Sequence, residues 1–184
     1  MYINPTVFQG RPDDERIPTE EAVYDRLGEL GISYARVDHE HADTMEDCRM
    51  IEQIIGAKIC KNLFLCNRQQ TDFYLLMLPG DKPFKTKYLS SQLGCSRLSF
   101  AGPEHMKELL STIPGSVSVL ELMFDTQNKV RLLIDEDLLA DEFISAHPSI
   151  STSTVKLRRE DVLKFAEACG HSPSVIRLPV ETEE

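Results

Sequence analysis

The chain has 184 residues, 41% of them hydrophobic and 27% charged, with a formal charge of −10. This length and composition suit one globular domain whose core needs no covalent staples, and they exclude long disorder. No apolar run reaches the roughly 18 residues of a membrane span, and the acidic balance argues against a protein that coats DNA or an anionic membrane.

Residues 1–18 are rich in proline and aspartate and predict an irregular N-terminal arm, with neither the basic start nor the apolar stretch of a secretory leader. A helix is expected from Thr19 as its cap, with Glu20 and Glu21 at the positive end of its dipole and Gly31 as its stop. Residues 33–38 read as a strand. Thr44 caps the next helix, with Asp47 three residues on as a variant capping box, and Gly56 ends it. Two apolar runs, 59–66 and 73–78, flank a polar turn and predict a hairpin covered on both faces. A helix follows over 86–93, then a short strand at 98–100, and a helix opened by Pro103. Residues 130–134 form a strand, with 154–157 expected to pair with it. Residues 159–168 form an amphipathic helix and 174–178 a final edge strand. The last residues, 179–184, are expected to be flexible. Strands and helices mix without a regular βαβ rhythm, which predicts an α+β domain around a mixed sheet over residues 19–178.

Five cysteines (Cys48, Cys60, Cys66, Cys95 and Cys169) are odd in number and scattered without a C-x-x-C pair. They read as free thiols in a reducing, cytoplasmic setting rather than as zinc ligands. His39 and His41, followed by Asp43 and Cys48, share a strand face, but no third ligand has matching spacing, so a capping or surface role is expected over a metal. The segment 80–87 carries lysines without the spacing of a phosphate-binding P-loop. It reads as a charged surface turn or a basic loop that touches RNA phosphate. No nucleophile elbow, zinc-protease motif or dinucleotide fingerprint is present.

Lys61 stands out because it interrupts the most apolar strand of the chain. Either it sits at an edge and snorkels to water, or it points a cation into a cleft where a low dielectric strengthens its pull on a phosphate or a carbonyl oxygen. Asn62 beside it faces the other side of a regular strand. The turn Pro114-Gly115-Ser116-Val117-Ser118 allows close backbone approach, and its consecutive N–H groups are suited to an oxyanion. His147 stands at a strand end, as a structural histidine or a site residue.

These pieces occur in a recognisable order. Cys60-Lys61-Asn62-Leu63-Phe64-Leu65, Leu93-Gly94, Arg97-Leu98-Ser99-Phe100-Ala101, Pro114 to Ser118, Asp125, Leu132-Leu133-Ile134-Asp135 and His147-Pro148 make the chain resemble the YbaK family of prolyl-tRNA synthetase-associated editing domains. Its free-standing branch, which deacylates alanyl-tRNA(Pro), is the closest likeness. The resemblance implies a compact α+β domain with a mixed, partly barrel-like sheet flanked by helices, and hydrolysis of the ester that joins a wrong amino acid to the tRNA 3′ end. It implies no metal and no organic cofactor.

It also implies roles for residues. Lys61 is the principal functional residue, an electrostatic anchor for the terminal phosphate or the ester carbonyl. His147 lies near the aminoacyl pocket, while Asn62, Gly115, Ser116, Thr44, Arg97 and Ser99 contact the substrate. Water attacks with help from the vicinal ribose hydroxyl. The partner is the 3′ end of mischarged tRNA(Pro), and the acidic charge favours delivery by prolyl-tRNA synthetase or an elongation factor. Three positions depart from the family pattern. Val119 replaces a proline, Glu121 a glycine and Phe124 an asparagine. A cysteinyl-specific deacylase is one alternative. A weakly catalytic tRNA- or synthetase-binding module is the other, favoured if Glu121 or Phe124 fills the pocket.

Overall fold

The computed structural model describes residues 1–42 and 44–179, so Asp43 and the expected flexible tail beyond Pro179 lie outside the described residues. The N-terminal segment is largely irregular but is laid against the protein. Its short strand β1 (Phe8–Gln9) pairs antiparallel with β2 (Ala35–Asp38), and Ile3 bridges to His39. Helix α1 (Pro18–Glu29) starts one residue before the expected cap. Ile17 takes the cap position without a side-chain hydrogen bond, because Pro18 needs no N–H partner there. In α2 (Met45–Ile55) both halves of the Thr44–Asp47 capping box form, and Gly56 ends the helix at φ 67°.

The hairpin forms as its apolar runs predict. Strand β3 (Cys60–Cys66) pairs along its whole length with β4 (Phe73–Pro79). Alternation then sorts side chains to two faces. Phe64, Cys66, Phe73, Leu75 and Met77 enter one core. Leu63, Leu65, Tyr74, Leu76 and Leu78 enter another, closed by Leu89 of α3 (Thr86–Leu93). Strand β5 (Ser99–Phe100) and α4 (Pro103–Leu110) follow, then a 3₁₀ turn at Val119–Phe124.

Among the described residues, nine strands form two sheets rather than one. The strands still to be placed are β6 (Val130–Asp135), β7 (Phe143–Ala146), β8 (Ser153–Arg158) and β9 (Ser174–Ile176). A five-stranded mixed sheet runs β5-β3-β4-β6-β9, and a four-stranded antiparallel sheet runs β1-β2-β8-β7. Their corners meet where Ile59 bridges Ser145. The expected pairing of 154–157 with 130–134 does not occur. Strand β8 pairs with β2 and β7, and β6 pairs parallel with β4 and β9. The reason is sidedness. In β6, Leu132 and Ile134 join one core and Leu133 the other, as a central strand requires. In β8 only Val155 and Leu157 join a core cluster, and Lys156 and Arg158 leave its other face polar. Helix α5 (Arg159–Ala168) buries Val162, Phe165 and Ala166 in the same core cluster that takes Val23 and Leu27 of α1.

The loop after β4 is the charged surface turn expected of it at Asp81, Lys85 and Lys87, which are exposed, but not at Lys82. Lys82 is 6% exposed and sits against both oxygens of Asp135 (2.8 and 2.9 Å) and against Asp137 (2.7 Å). No helix among the described residues is long and apolar enough to cross a membrane.

Candidate active site

Strand β5 pairs only with Leu65 and Cys66, and the Ala101 amide reaches the Phe64 carbonyl at 2.9 Å. At the other end of β3, the Ser145 bridge holds Ile59. Among the described residues no strand covers the stretch of β3 between them on that edge. A cavity of about 270 Å³ opens there. Asn62 and Phe64 project from β3, Met106 comes from α4, Gly115 and Val117 from the following loop, and His147 from the end of β7. Phe100 closes the far wall.

Two polar residues, Asn62 and His147, line this mostly apolar cavity. The Asn62 amide nitrogen donates to the Cys60 sulfur at 3.4 Å, while its Oδ1 is buried without a partner. An acceptor left unpaired inside a protein is costly unless something supplies a donor. His147 Nδ1 lies 2.8 Å from the Ser153 carbonyl. A carbonyl only accepts, so Nδ1 carries the proton and Nε2 keeps its lone pair. Burial holds the imidazole below the ordinary value of 6.5. The Ser153 carbonyl opposes this, and the charges of His39 and His41 reinforce it. At neutral pH His147 is therefore an uncharged acceptor. The rings of His39 and His147 lie 6.2 Å apart, and His39 is itself fixed by the Glu40 carbonyl and the Thr154 hydroxyl.

Gly115 adopts φ +88°, a conformation that other residues rarely hold, and a Cβ there would lie in contact with His41 at 3.4 Å. The loop is clamped from beneath. The buried Glu121 carboxyl accepts the Ser118 and Ser149 amides, and the Ser118 hydroxyl donates to the His147 carbonyl at 2.6 Å. Glu121 thus joins the Gly115 loop to the His147 loop. It does not fill the cavity. Phe124 does not fill it either, since its side chain borders a separate surface hollow with Glu108 and Lys129.

The structure brings together Asn62, Gly115 and His147 of the expected site and leaves the others outside this cavity. Ser116 is 1% exposed and its amide is spent on the Ile113 carbonyl, so that member of the expected oxyanion cradle is already occupied. The Thr44 hydroxyl is engaged by Asp47 in the helix cap. Lys61 faces the opposite side of β3. Its ammonium donates to the Lys82 carbonyl at 2.9 Å and borders a second hollow of about 260 Å³ with Arg49 and Lys58. Arg97 and Ser99 line a third, broader depression of about 700 Å³. Among the described residues no group of three His, Cys, Asp or Glu side chains is placed to hold a metal ion. Sequence reading missed Met106 and Val117 as walls and Glu121 as a clamp. The Ser118-x-x-Glu121 spacing was a capping-box signal for the last of these.

Residues 39–165 match the model of the aminoacyl-tRNA editing domain family. The prolyl-tRNA editing protein ProX of Acetoanaerobium sticklandii is 30% identical over 159 residues, which cover 86% of this chain and 97% of that protein. Prolyl-tRNA synthetase associated domain-containing protein 1 of Mus musculus is 30% identical over 157 residues, covering 83% and 92%. A solved structure of a proposed trans-editing enzyme for prolyl-tRNA synthetase has the same fold, with a TM-score of 0.65 at 19% identity over 89% of this chain and 98% of that one. The matched span contains Asn62, Gly115 and His147, and the chain belongs to the aminoacyl-tRNA editing domain family.

Proposed function

We propose that this protein is a trans-acting aminoacyl-tRNA deacylase that hydrolyses the ester of mischarged tRNA(Pro), with alanyl-tRNA(Pro) as its main substrate. The observation that carries this reading is a small, mostly apolar cavity lined by Asn62, whose buried Oδ1 has no partner, and by a neutral histidine. That oxygen suits the α-ammonium group of an aminoacyl ester. Phe64, Phe100, Met106 and Val117 limit the side chain that fits. A synthetase site for proline discriminates against the smaller alanine by only about 1–3 kcal/mol, so a second, smaller sieve is the physical remedy.

The chemistry needs no protein nucleophile. Cys60 borders the cavity, but burial pushes its thiol up to about 11 and its S–H points to the Ser145 carbonyl at 3.1 Å. An aminoacyl ester is already activated, and fixing it beside a positioned water supplies most of the required rate. The vicinal hydroxyl of the terminal ribose orients that water, and His147 Nε2 accepts a hydrogen bond from this pair. Lys61 lies on the other face of β3, so we assign its charge to the RNA phosphates rather than to the ester carbonyl.

The test is deacylation of alanyl-, cysteinyl- and prolyl-tRNA(Pro). Wild type is expected to release alanine fastest and to spare proline. Asn62→Ala is expected to lower kcat/KM about 10- to 100-fold, the loss that follows from removing a hydrogen bond to a charged group. Lys61→Ala is expected to raise KM more than it lowers kcat. Folded wild type that cleaves none of the three esters overturns the proposal, and cleavage of the cysteinyl ester alone reassigns the substrate. Because Glu121 and Phe124 lie outside the cavity, occlusion does not support the binding-module alternative.

A further inference from the structure

We propose that the depression next to the ester cavity binds the single-stranded 3′ end of the RNA, with Phe100 as the stacking platform and Arg68 and Arg97 on the phosphates. The inference rests on the editing reading for its biological substrate, but the site itself is argued from the surface.

Phe100 is 61% exposed and lines both depressions, forming the partition between them. Its backbone is held firmly. It pairs with Leu65, Leu98 on one side is 1% exposed, and Ala101 on the other is 4% exposed. The ring is therefore presented to solvent by a fixed strand. An aromatic face held this way is a platform on which any nucleobase stacks.

The charges around it point the same way. Arg68 from the hairpin turn and Arg97 before β5 both line the broader depression and are both exposed. Neither has an ion-pair partner among the described residues, whereas Arg11, Arg16, Arg36, Arg158 and Arg159 each meet a carboxylate. Two uncompensated guanidinium groups beside an exposed ring, in a chain of formal charge −10, make a local exception to the global repulsion of RNA. The hydroxyls of Thr86, Ser96 and Ser99 add partners for sugar and phosphate oxygens. Size sets the order of occupancy. The ester cavity, at about 270 Å³, takes the aminoacyl end, and the 700 Å³ depression that shares Phe100 with it takes the nucleotides that precede it.

The test is a fluorescence-anisotropy titration with a non-aminoacylated single-stranded RNA of about eight nucleotides ending in CCA, labelled at its 5′ end. Phe100→Ala is expected to weaken binding about 5- to 150-fold, as loss of one base stack does. Phe100→Tyr restores it. Arg68→Ala combined with Arg97→Ala reduces the salt dependence of log K by about 1.4, at roughly 0.7 per phosphate contact. Tyr2→Ala, which removes an aromatic 63% exposed and outside both depressions, leaves binding unchanged. Binding by Phe100→Ala equal to wild type, equal loss in Tyr2→Ala, or no binding by wild type overturns the inference. The same wild-type preparation is incubated with alanyl-tRNA(Pro). Phe100-dependent binding without hydrolysis overturns the editing reading alone, and hydrolysis with Phe100-independent binding overturns the inference alone.

Discussion

Glu121 is a carboxyl group surrounded by more donors than acceptors, yet its surroundings keep it protonated. Burial pushes it up to about 8, against the downward pull of the Ser118 and Ser149 groups around it. The Ser118 hydroxyl donates mainly to the His147 carbonyl at 2.6 Å and only weakly to Glu121 Oε1 at 3.3 Å, which leaves burial the dominant influence on the carboxyl. The folded state therefore binds this proton more tightly than the unfolded chain, whose value is 4.5. The stability it contributes is complete below about pH 4.5 and is lost as pH rises through about 8. Thermal melts from pH 5 to pH 9 are expected to show Tm falling in wild type, with the fall reduced in Glu121→Gln. Parallel curves for the two proteins would show Glu121 to be ionised throughout. In the sequence, Glu121 reads as added charge in a pocket loop. The tight pitch of the 3₁₀ turn instead carries it back beneath Ser118, and the loop is shaped around it.

At the scale of elements, β3 was legible and its surroundings were not. Period-two alternation puts Lys61 and Asn62 on opposite faces whatever the fold. Which face opens to a cavity depends on where β5 stops pairing and where β7 touches Ile59, and both are contacts between segments distant in sequence. Helix α4 was equally clear as a helix, but its orientation decides that Met106 lines the cavity. Met106 is half-buried, packs against the edge of the main core and lines the cavity, and its unbranched side chain adapts to the space there. Met106→Ala is expected to improve the ratio of prolyl to alanyl ester hydrolysis by about 10-fold, the scale set by a few methylenes in an apolar pocket. An unchanged ratio in steady-state assays would place the size filter elsewhere.

At the scale of the molecule, one buried charge cluster ties the five-stranded sheet together. Lys82 from the loop after β4 meets Asp135 at the end of β6, and Asp135 also accepts the Leu178 amide beyond β9 at 3.1 Å. The Lys82 carbonyl in turn holds the Lys61 ammonium. Replacing Lys82 by methionine keeps the bulk but strands the Asp135 carboxylate in the interior. The expected cost is about 3–5 kcal/mol in urea unfolding, the penalty for breaking a buried pair from one side. A loss below about 1 kcal/mol would mean that water reaches Asp135. Sequence reading placed Lys82 among the solvated residues of its loop, because composition carries no information about a partner some 53 residues away.

The local order of residues determined the caps, the two-sided hairpin and the helices, because these rest on contacts within a few residues. The order of motifs along the chain also pointed to the editing family, and the matched span bears this out. Tertiary structure decided the division into two sheets, the gap that admits a ligand along β3, and the company that each site residue keeps. It gathered Asn62, Gly115 and His147, opened the cavity on the Asn62 face of β3 rather than on the Lys61 face, and spent Thr44 and Ser116 on local hydrogen bonds. The physical reason is that side-chain identity states what a residue can bond, whereas long-range packing determines which bonds remain unmade and open to a substrate.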